Sequence, residues 1–337
     1  MIVGIIGVGN MGRHHARVYS ELRGVSLVAV ADVNEEQGRK IANEYNCNFY
    51  RDYREMFQKE RIDAVSIALP TSLHKEITLY CVQNKKDVLI EKPIADSLED
   101  GKEIVKEAEE RGVIVMVGHI ERFNPAVQKL KKMIDNGKFE RITSIYTTRV
   151  GIFPPQIRDA DVIIDLAVHD IDVCNFLLNK KVRKVYARAG RALHSKRADF
   201  ATIFLEYDGT DVLMQVNWIT PVKIRELTIT GTKSYAELNY ITQKLRVYEN
   251  LYKKSFDSFG NFIIKFGEPN LKDIQIRTAE PLKLELEHFI QCVKERKKPL
   301  ISDIEALYTL DIALKAIESY KNDKLVEVNP EESGFQN

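Results

Sequence analysis

The sequence is poor in cysteine and in long apolar runs, and it carries no excess of either charge. Four cysteines occur in 337 residues: Cys47, Cys81, Cys174 and Cys292. No two of them have the spacing of a metal-binding or redox motif, so they read as buried free thiols in a reducing compartment. The longest apolar runs, such as Ala64 to Leu69, fall far short of the ~20 residues that cross a bilayer. The apolar start, Met1 to Ile6, has no basic region ahead of it, which argues against a secretory leader. Lysine plus arginine is 50 and aspartate plus glutamate is 49, a formal charge of +1. Such a balance provides no global field for nucleic acid or an anionic membrane. The expectation is a cytoplasmic protein that acts on a small molecule, without nucleic acid, membrane or metal as partner.

What is present is a chain that is 44% hydrophobic, long enough for two domains. In the first 120 or so residues, short apolar runs at Ile2–Gly7, Leu27–Ala31, Ala64–Leu69, Asp87–Ile90 and Val113–Val117 alternate with helical patterns. Strands that are apolar at successive positions are buried on both faces, and strand–helix alternation implies a parallel sheet covered by helices. After Arg122 the pattern changes. A helix over Ala126–Asn136 gives way to strands in succession, with a hairpin signal at Asp208-Gly209 between Asp199–Tyr207 and Asp211–Ile219. Val212, Met214, Val216 and Trp218 alternate with Leu213, Gln215 and Asn217, as in a sheet with one apolar face. Two helices, Leu282–Arg296 and Asp303–Tyr320, close the chain. The predicted fold is α/β: a doubly wound parallel sheet of Rossmann type over residues 1–121, then an α+β domain over 122–330 with a large, mostly antiparallel open sheet.

The first strand runs into Gly7-Val8-Gly9-Asn10-Met11-Gly12 and then a helix, the dinucleotide fingerprint in its required setting. Gly7 permits the tight turn, Gly9 lets a pyrophosphate approach the backbone, and Gly12 lets the helix pack against the sheet. The N–H groups of the helix start, with Asn10 and Met11 in the loop, suit the phosphates. Asp32 ends the second strand twenty residues after Gly12, where a carboxylate would bind the adenosine ribose and repel a 2′-phosphate. NAD is therefore favoured over NADP.

In doubly wound sheets ligands gather at the carboxyl ends of the strands. Leu69, Pro70, Thr71 and His74 follow the third apolar run, Glu91-Lys92-Pro93 the fourth, and Gly118-His119 the fifth. Lys92, held extended before a proline, should point to the cleft. Farther on, Asp165 and His169 lie four apart, on one side of a helix. An ionised Asp165 would orient the imidazole and raise its basicity, which suits a general base. The pair could equally be structural, or bind a metal with Asp172.

Taken together, the chain resembles the glucose–fructose oxidoreductase / inositol dehydrogenase (Gfo/Idh/MocA) oxidoreductases. The residues that carry this are Gly7-Val-Gly-Asn-Met-Gly12, Glu91-Lys92-Pro93, Arg122-Phe-Asn-Pro125, Asp165-Leu-Ala-Val-His169 and the Glu280-Pro281-Leu282 and Asp303 segments. The resemblance implies that Lys92, Asp165 and His169 converge on a substrate hydroxyl beside the nicotinamide ring, and that the open sheet forms a homodimer or homotetramer contact. A narrower likeness, in Arg149-Val-Gly-Ile-Phe-Pro-Pro-Gln-Ile-Arg158, is to members that oxidise UDP-N-acetylglucosamine at C3; Asp161-Val-Ile-Ile164 here replaces the family's glycine-rich run. In the family, an arginine near Arg158 often approaches cofactor or substrate. For a diphosphate substrate, Arg122, Arg149 and Arg158 are the candidate cations, with Lys223 or Arg225 less favoured. A free sugar, an inositol or another carbonyl compound as substrate is the alternative within the same chemistry. A non-catalytic NAD-binding sensor is the alternative outside it.

Overall fold

A computed structural model describes residues 1–153, 160–193, 196–249, 252–256, 262–266 and 270–334, with backbone only for 252–256 and 262–266. The first sheet holds β1 (Ile2–Ile6), β2 (Ser26–Ala31), β3 (Asn48–Tyr50), β4 (Ala64–Ile67), β5 (Asp87–Glu91) and β6 (Val115–Gly118). Their order is β3-β2-β1-β4-β5-β6, and every pairing is parallel. The connecting helices are α1 (Gly12–Glu21), α2 (Glu35–Glu44), α3 (Tyr53–Lys59), α4 (His74–Gln83) and α5 (Leu98–Arg111). Strands β4, β5 and β6 are buried at every position, as the unbroken apolar runs require. The strand order reverses between β1 and β4, so a crevice opens at their carboxyl ends. β3 and α3 escape the sequence pattern because three and seven residues do not complete a recognisable period.

The second sheet begins after α6 (Pro125–Asp135) with β7 (Ile142–Val150). A five-residue π-turn, Ile163–Ala167, then leads into α7 (Val168–Leu178). There follow β8 (Val182–Gly190), β9 (Phe200–Tyr207), β10 (Thr210–Asn217), β11 (Ile224–Gly231), β12 (Ser234–Asn239) and β13 (Lys244–Glu249). The hairpin β14 (Tyr252–Phe256) with β15 (Phe262–Phe266) stands apart, and β16 (Asn270–Asp273) returns to the sheet. Helices α8 (Pro281–Glu295) and α9 (Asp303–Asn322) and the short β17 (Val326–Glu327) complete the described chain. The nine strands run in the order β16-β13-β12-β11-β7-β10-β9-β8-β17. All pairs are antiparallel except β7 with β10.

The expected alternation in β10 holds. Val212, Met214, Val216 and Trp218 are buried, while Leu213 is 38% exposed on the open face with Tyr146 and Phe200. Asp208 and Gly209 form the two-residue turn, with Gly209 at φ +71°. Helix α8 does not pack on this sheet. Leu282, Leu286, Phe289 and Ile290 belong to the core of the first sheet, and Arg296 at its end pairs with Asp87 at the start of β5 at 2.6 Å.

Candidate active site

The glycine loop has the form that a bound dinucleotide requires. Gly7 has φ +85°, and a Cβ there would lie 2.5 Å from the Ala68 carbonyl oxygen. At Gly12 a Cβ would lie 1.9 Å from the Gly7 carbonyl. At Gly9 a Cβ would meet nothing within 4 Å, so the loop faces open space there. No side chain caps α1 and its first turn carries no acid, which leaves the helix start for an anion. Asp32 accepts from the Val8 N–H at 2.8 Å and the Asn34 N–H at 2.8 Å, which fixes the acid against the loop. A pyrophosphate and ribose fit this cradle.

The other residues expected at the cofactor divide into two groups. Leu69, Pro70 and Thr71 follow β4 on the crevice side, and the Leu69 side chain packs at Gly7. Histidine 74 is fully buried, and its nitrogens lie 2.8 Å from the Pro93 carbonyl and 3.0 Å from that of Leu69. It therefore ties the ends of β4 and β5 together and has no ring nitrogen to offer a cofactor. Glu91 pairs with His15 at 3.0 Å and is likewise a scaffold group. Burial raises its pKa, but His15, Lys92 and His74 outweigh this and hold it below the usual range. His119 is buried, with neither ring nitrogen hydrogen-bonded. Arg158 lies outside the described residues.

Lys92, just after β5, reaches Asp165 on the π-turn before α7, and His169 lies close enough for the Lys92 charge to lower its pKa. The Lys92 Nζ donates to the Asp165 carbonyl at 2.8 Å and to its Oδ1 at 3.1 Å. The Asp165 Oδ2 accepts from the Trp218 indole N–H at 3.2 Å. Asp161, in place of a glycine-rich run, accepts from the N–H groups of Ile163 and Ile164 and so caps the π-turn that carries Asp165.

One expectation fails here. Asp165 does not orient His169: no hydrogen bond joins them among the described residues. The π-turn widens the helix, so residues four apart do not stack as they would on an α-helix. Nor is the imidazole made more basic. Burial, then the charges of Lys92, Arg149, His119 and Arg225, lower the His169 pKa well below its ordinary value. The ring is neutral near pH 7. Its Nδ1 is buried without a partner among the described residues, which leaves Nε2 as the nitrogen that can meet a substrate.

Arg122 and Arg149, the candidate cations for a diphosphate, are both engaged in buried ion pairs. Arg122 is 1% exposed. It donates to both Asp172 oxygens at 2.8–3.0 Å and to Glu305 at 2.7 Å. Arg149, 4% exposed, donates to Asp170 at 2.9–3.1 Å and to Glu121 at 3.0 Å. Buried ion pairs of this kind are costly to break, because one charge is left uncompensated. Asp172 is thereby committed to Arg122 and not to a metal. The sequence pattern missed Trp218, Asp161, Asp170 and Glu121. Trp218 left a signal, as the single tryptophan on the buried side of an alternating strand, and Asp161 left one as the departure from the family's glycine-rich run; Asp170 and Glu121 left none.

Residues 1–119 match the Gfo/Idh/MocA family model described as "Oxidoreductase family, NAD-binding Rossmann fold", and residues 127–237 match the "GFO/IDH/MocA C-terminal domain". The chain belongs to the Gfo/Idh/MocA oxidoreductases. It is 28% identical to scyllo-inositol 2-dehydrogenase (NAD(+)) of Bacillus subtilis, over 96% of this chain and 95% of that one. It is 27% identical to UDP-N-acetylglucosamine 3-dehydrogenase of Acidithiobacillus ferrooxidans, over 95% and 98%. A solved structure of UDP-N-acetylglucosamine 3-dehydrogenase from that organism superposes with a TM-score of 0.84 at 25% identity, covering 96% of this chain and 98% of that one.

The protein is an oxidoreductase acting on CH–OH groups, and its cofactor is NAD. Gly7, Gly9, Gly12, the start of α1 and Asp32 are the groups that fit it. When bound, NAD supplies the hydride acceptor; the protein contributes placement and electrostatics.

Proposed function

We propose that this sugar or polyol oxidoreductase oxidises a secondary hydroxyl on a sugar ring, with UDP-N-acetylglucosamine at C3 as its substrate. The observation that carries the reading is the Lys92 ammonium, held 2.8 Å from the Asp165 carbonyl beside a neutral His169. His169 Nε2 takes the hydroxyl proton. Lys92 hydrogen-bonds the same oxygen and stabilises the negative charge that develops on it. Asp165 holds the ammonium, and Trp218 holds Asp165. The likeness to the Acidithiobacillus enzyme along nearly the whole chain supports the nucleotide sugar. The likeness to the Bacillus inositol dehydrogenase supports a free polyol as the alternative.

The open face of the second sheet exposes Tyr146 (51%), Phe200 (40%) and Leu213 (38%). These large apolar groups support self-association through that face. The deciding experiment is to mix the protein with NAD and a panel of sugars, inositols and nucleotide sugars and follow NADH absorbance. Turnover of a UDP-sugar is expected. Turnover of free inositol or glucose with none of any UDP-sugar overturns the substrate.

A further inference from the structure

Strand β11 runs antiparallel to β7, and the register sets Arg225 directly opposite Arg149. Opposed residues in an antiparallel pair share a face of the sheet, and like charges in that position repel. Arg149 is ion-paired with Asp170 and Glu121. Arg225 feels the charges of Asp170, Asp165 and Glu121 but makes no ion pair with them. Its Nη1 donates to the Val150 carbonyl at 2.5 Å and to the Ile224 carbonyl at 2.8 Å. Among the described residues no carboxylate pairs with it. Arg225 shares its face with Leu227 and Ile229, both buried, so it lies on the covered side of the sheet, where α7 sits. Arg149, its neighbour, grips Asp170, the residue after His169.

A half-buried guanidinium whose described hydrogen bonds go only to two main-chain carbonyls keeps donors to spare for a ligand. Among the described residues, Nε and Nη2 have no hydrogen-bond partner. Arg presents such donors in a fixed fork suited to phosphoryl and carboxylate oxygens. We propose that Arg225 is the receptor for an anionic group of the substrate, a phosphoryl or carboxylate oxygen carried near the reacting hydroxyl. This rests on the reading that substrate enters beside His169. It assigns to Arg225 the selection of charged sugars over neutral polyols, a role Arg122 and Arg149 cannot fill. Arg225 is also one of the cations that hold the His169 pKa down, so an anion paired with it would favour proton uptake by the imidazole at the moment of binding.

The test compares wild type, Arg225→Gln and Arg225→Lys, each as full chain with NAD. Rates are measured on UDP-N-acetylglucosamine against N-acetylglucosamine, and on glucuronate against glucose. The ratio of kcat/KM for charged over neutral partner is expected to fall about 10- to 100-fold in Arg225→Gln, with partial recovery in Arg225→Lys. The pair in which it falls tells phosphoryl from carboxylate. Equal ratios in wild type and Arg225→Gln overturn the assignment.

UDP binding by calorimetry to the NAD-loaded protein is the second readout. If no sugar of the panel is oxidised, the reaction reading fails; UDP binding that is weakened in Arg225→Gln still supports the receptor. UDP binding unchanged by Arg225→Gln, in a protein that turns over neutral and charged sugars alike, sinks the receptor alone.

Discussion

Lys92 and Asp165 stand 73 residues apart in sequence, and the ammonium of one touches both the carbonyl and the carboxylate of the other, at 2.8 and 3.1 Å. The pair joins the carboxyl end of β5 to the π-turn before α7, so a polar contact links the first-sheet part of the chain to the second.

Removing Lys92, or the imidazole of His169, should act on the chemical step. Lys92→Met is expected to lower kcat by about 10²–10⁴, and His169→Ala by a similar factor. Trp218→Phe removes one donor to Asp165 and should cost about fivefold in kcat, the size of a single net hydrogen bond. The readout is single-turnover NADH formation. His169→Ala with undiminished rate would reject its role as base.

The pH profile follows from the neutral imidazole. A base is active deprotonated, and the His169 pKa is lowered by burial and then by Lys92. Activity should stay level as pH falls through 6.5 and decline only below it. Lys92→Met removes a cation and should move the His169 titration upward, read from its ring proton by NMR. An acid limb at or above 6.5 in the wild type contradicts this account.

Stability carries a separate signature. Glu285 on α8 is fully buried, and among the described residues neither oxygen has a partner. Burial, and then Glu91 and Asp172, raise its pKa well above the ordinary value. A carboxyl whose folded pKa is raised stabilises fully below the unfolded pKa of about 4.5 and loses that contribution as pH rises towards the folded value. Glu285→Gln should therefore raise Tm more at pH 8 than at pH 5, by roughly 2 °C or more. A Tm gain that shrinks with rising pH would exclude it.

We propose that Asp32 sets cofactor choice. Asp32→Ala should raise the NADP-to-NAD ratio of kcat/KM by about tenfold or more, through loss of repulsion to a 2′-phosphate. Wild-type protein that used both coenzymes equally would remove that role.

Much of the fold was legible in the sequence because its strands declare themselves. β4, β5 and β6 are buried on both faces and read as apolar runs, and β10 alternates as an open sheet must. The glycine loop was legible because Gly7 and Gly12 have no room for any other residue. The geometry between Asp165 and His169 was not, since a four-residue spacing reads as an α-turn and nothing local announces a π-turn. The arginines misled for a different reason. The carboxylates that neutralise Arg122 and Arg149 lie 21 to 183 residues away, and one-dimensional pattern carries no record of such pairings. Arg225 was undervalued on the same ground, because an absent counter-ion shows only when its neighbours are in place.

The return of α8 to the first sheet has a bearing on biosynthesis. The strands and the glycine loop leave the ribosome early, yet Leu286 and Phe289, which seal one side of that layer, are translated more than 160 residues after β6 ends. A nascent chain stopped near residue 121 would present that greasy flank to solvent, so the coenzyme-holding half is not a module that can be excised and grafted by a single cut.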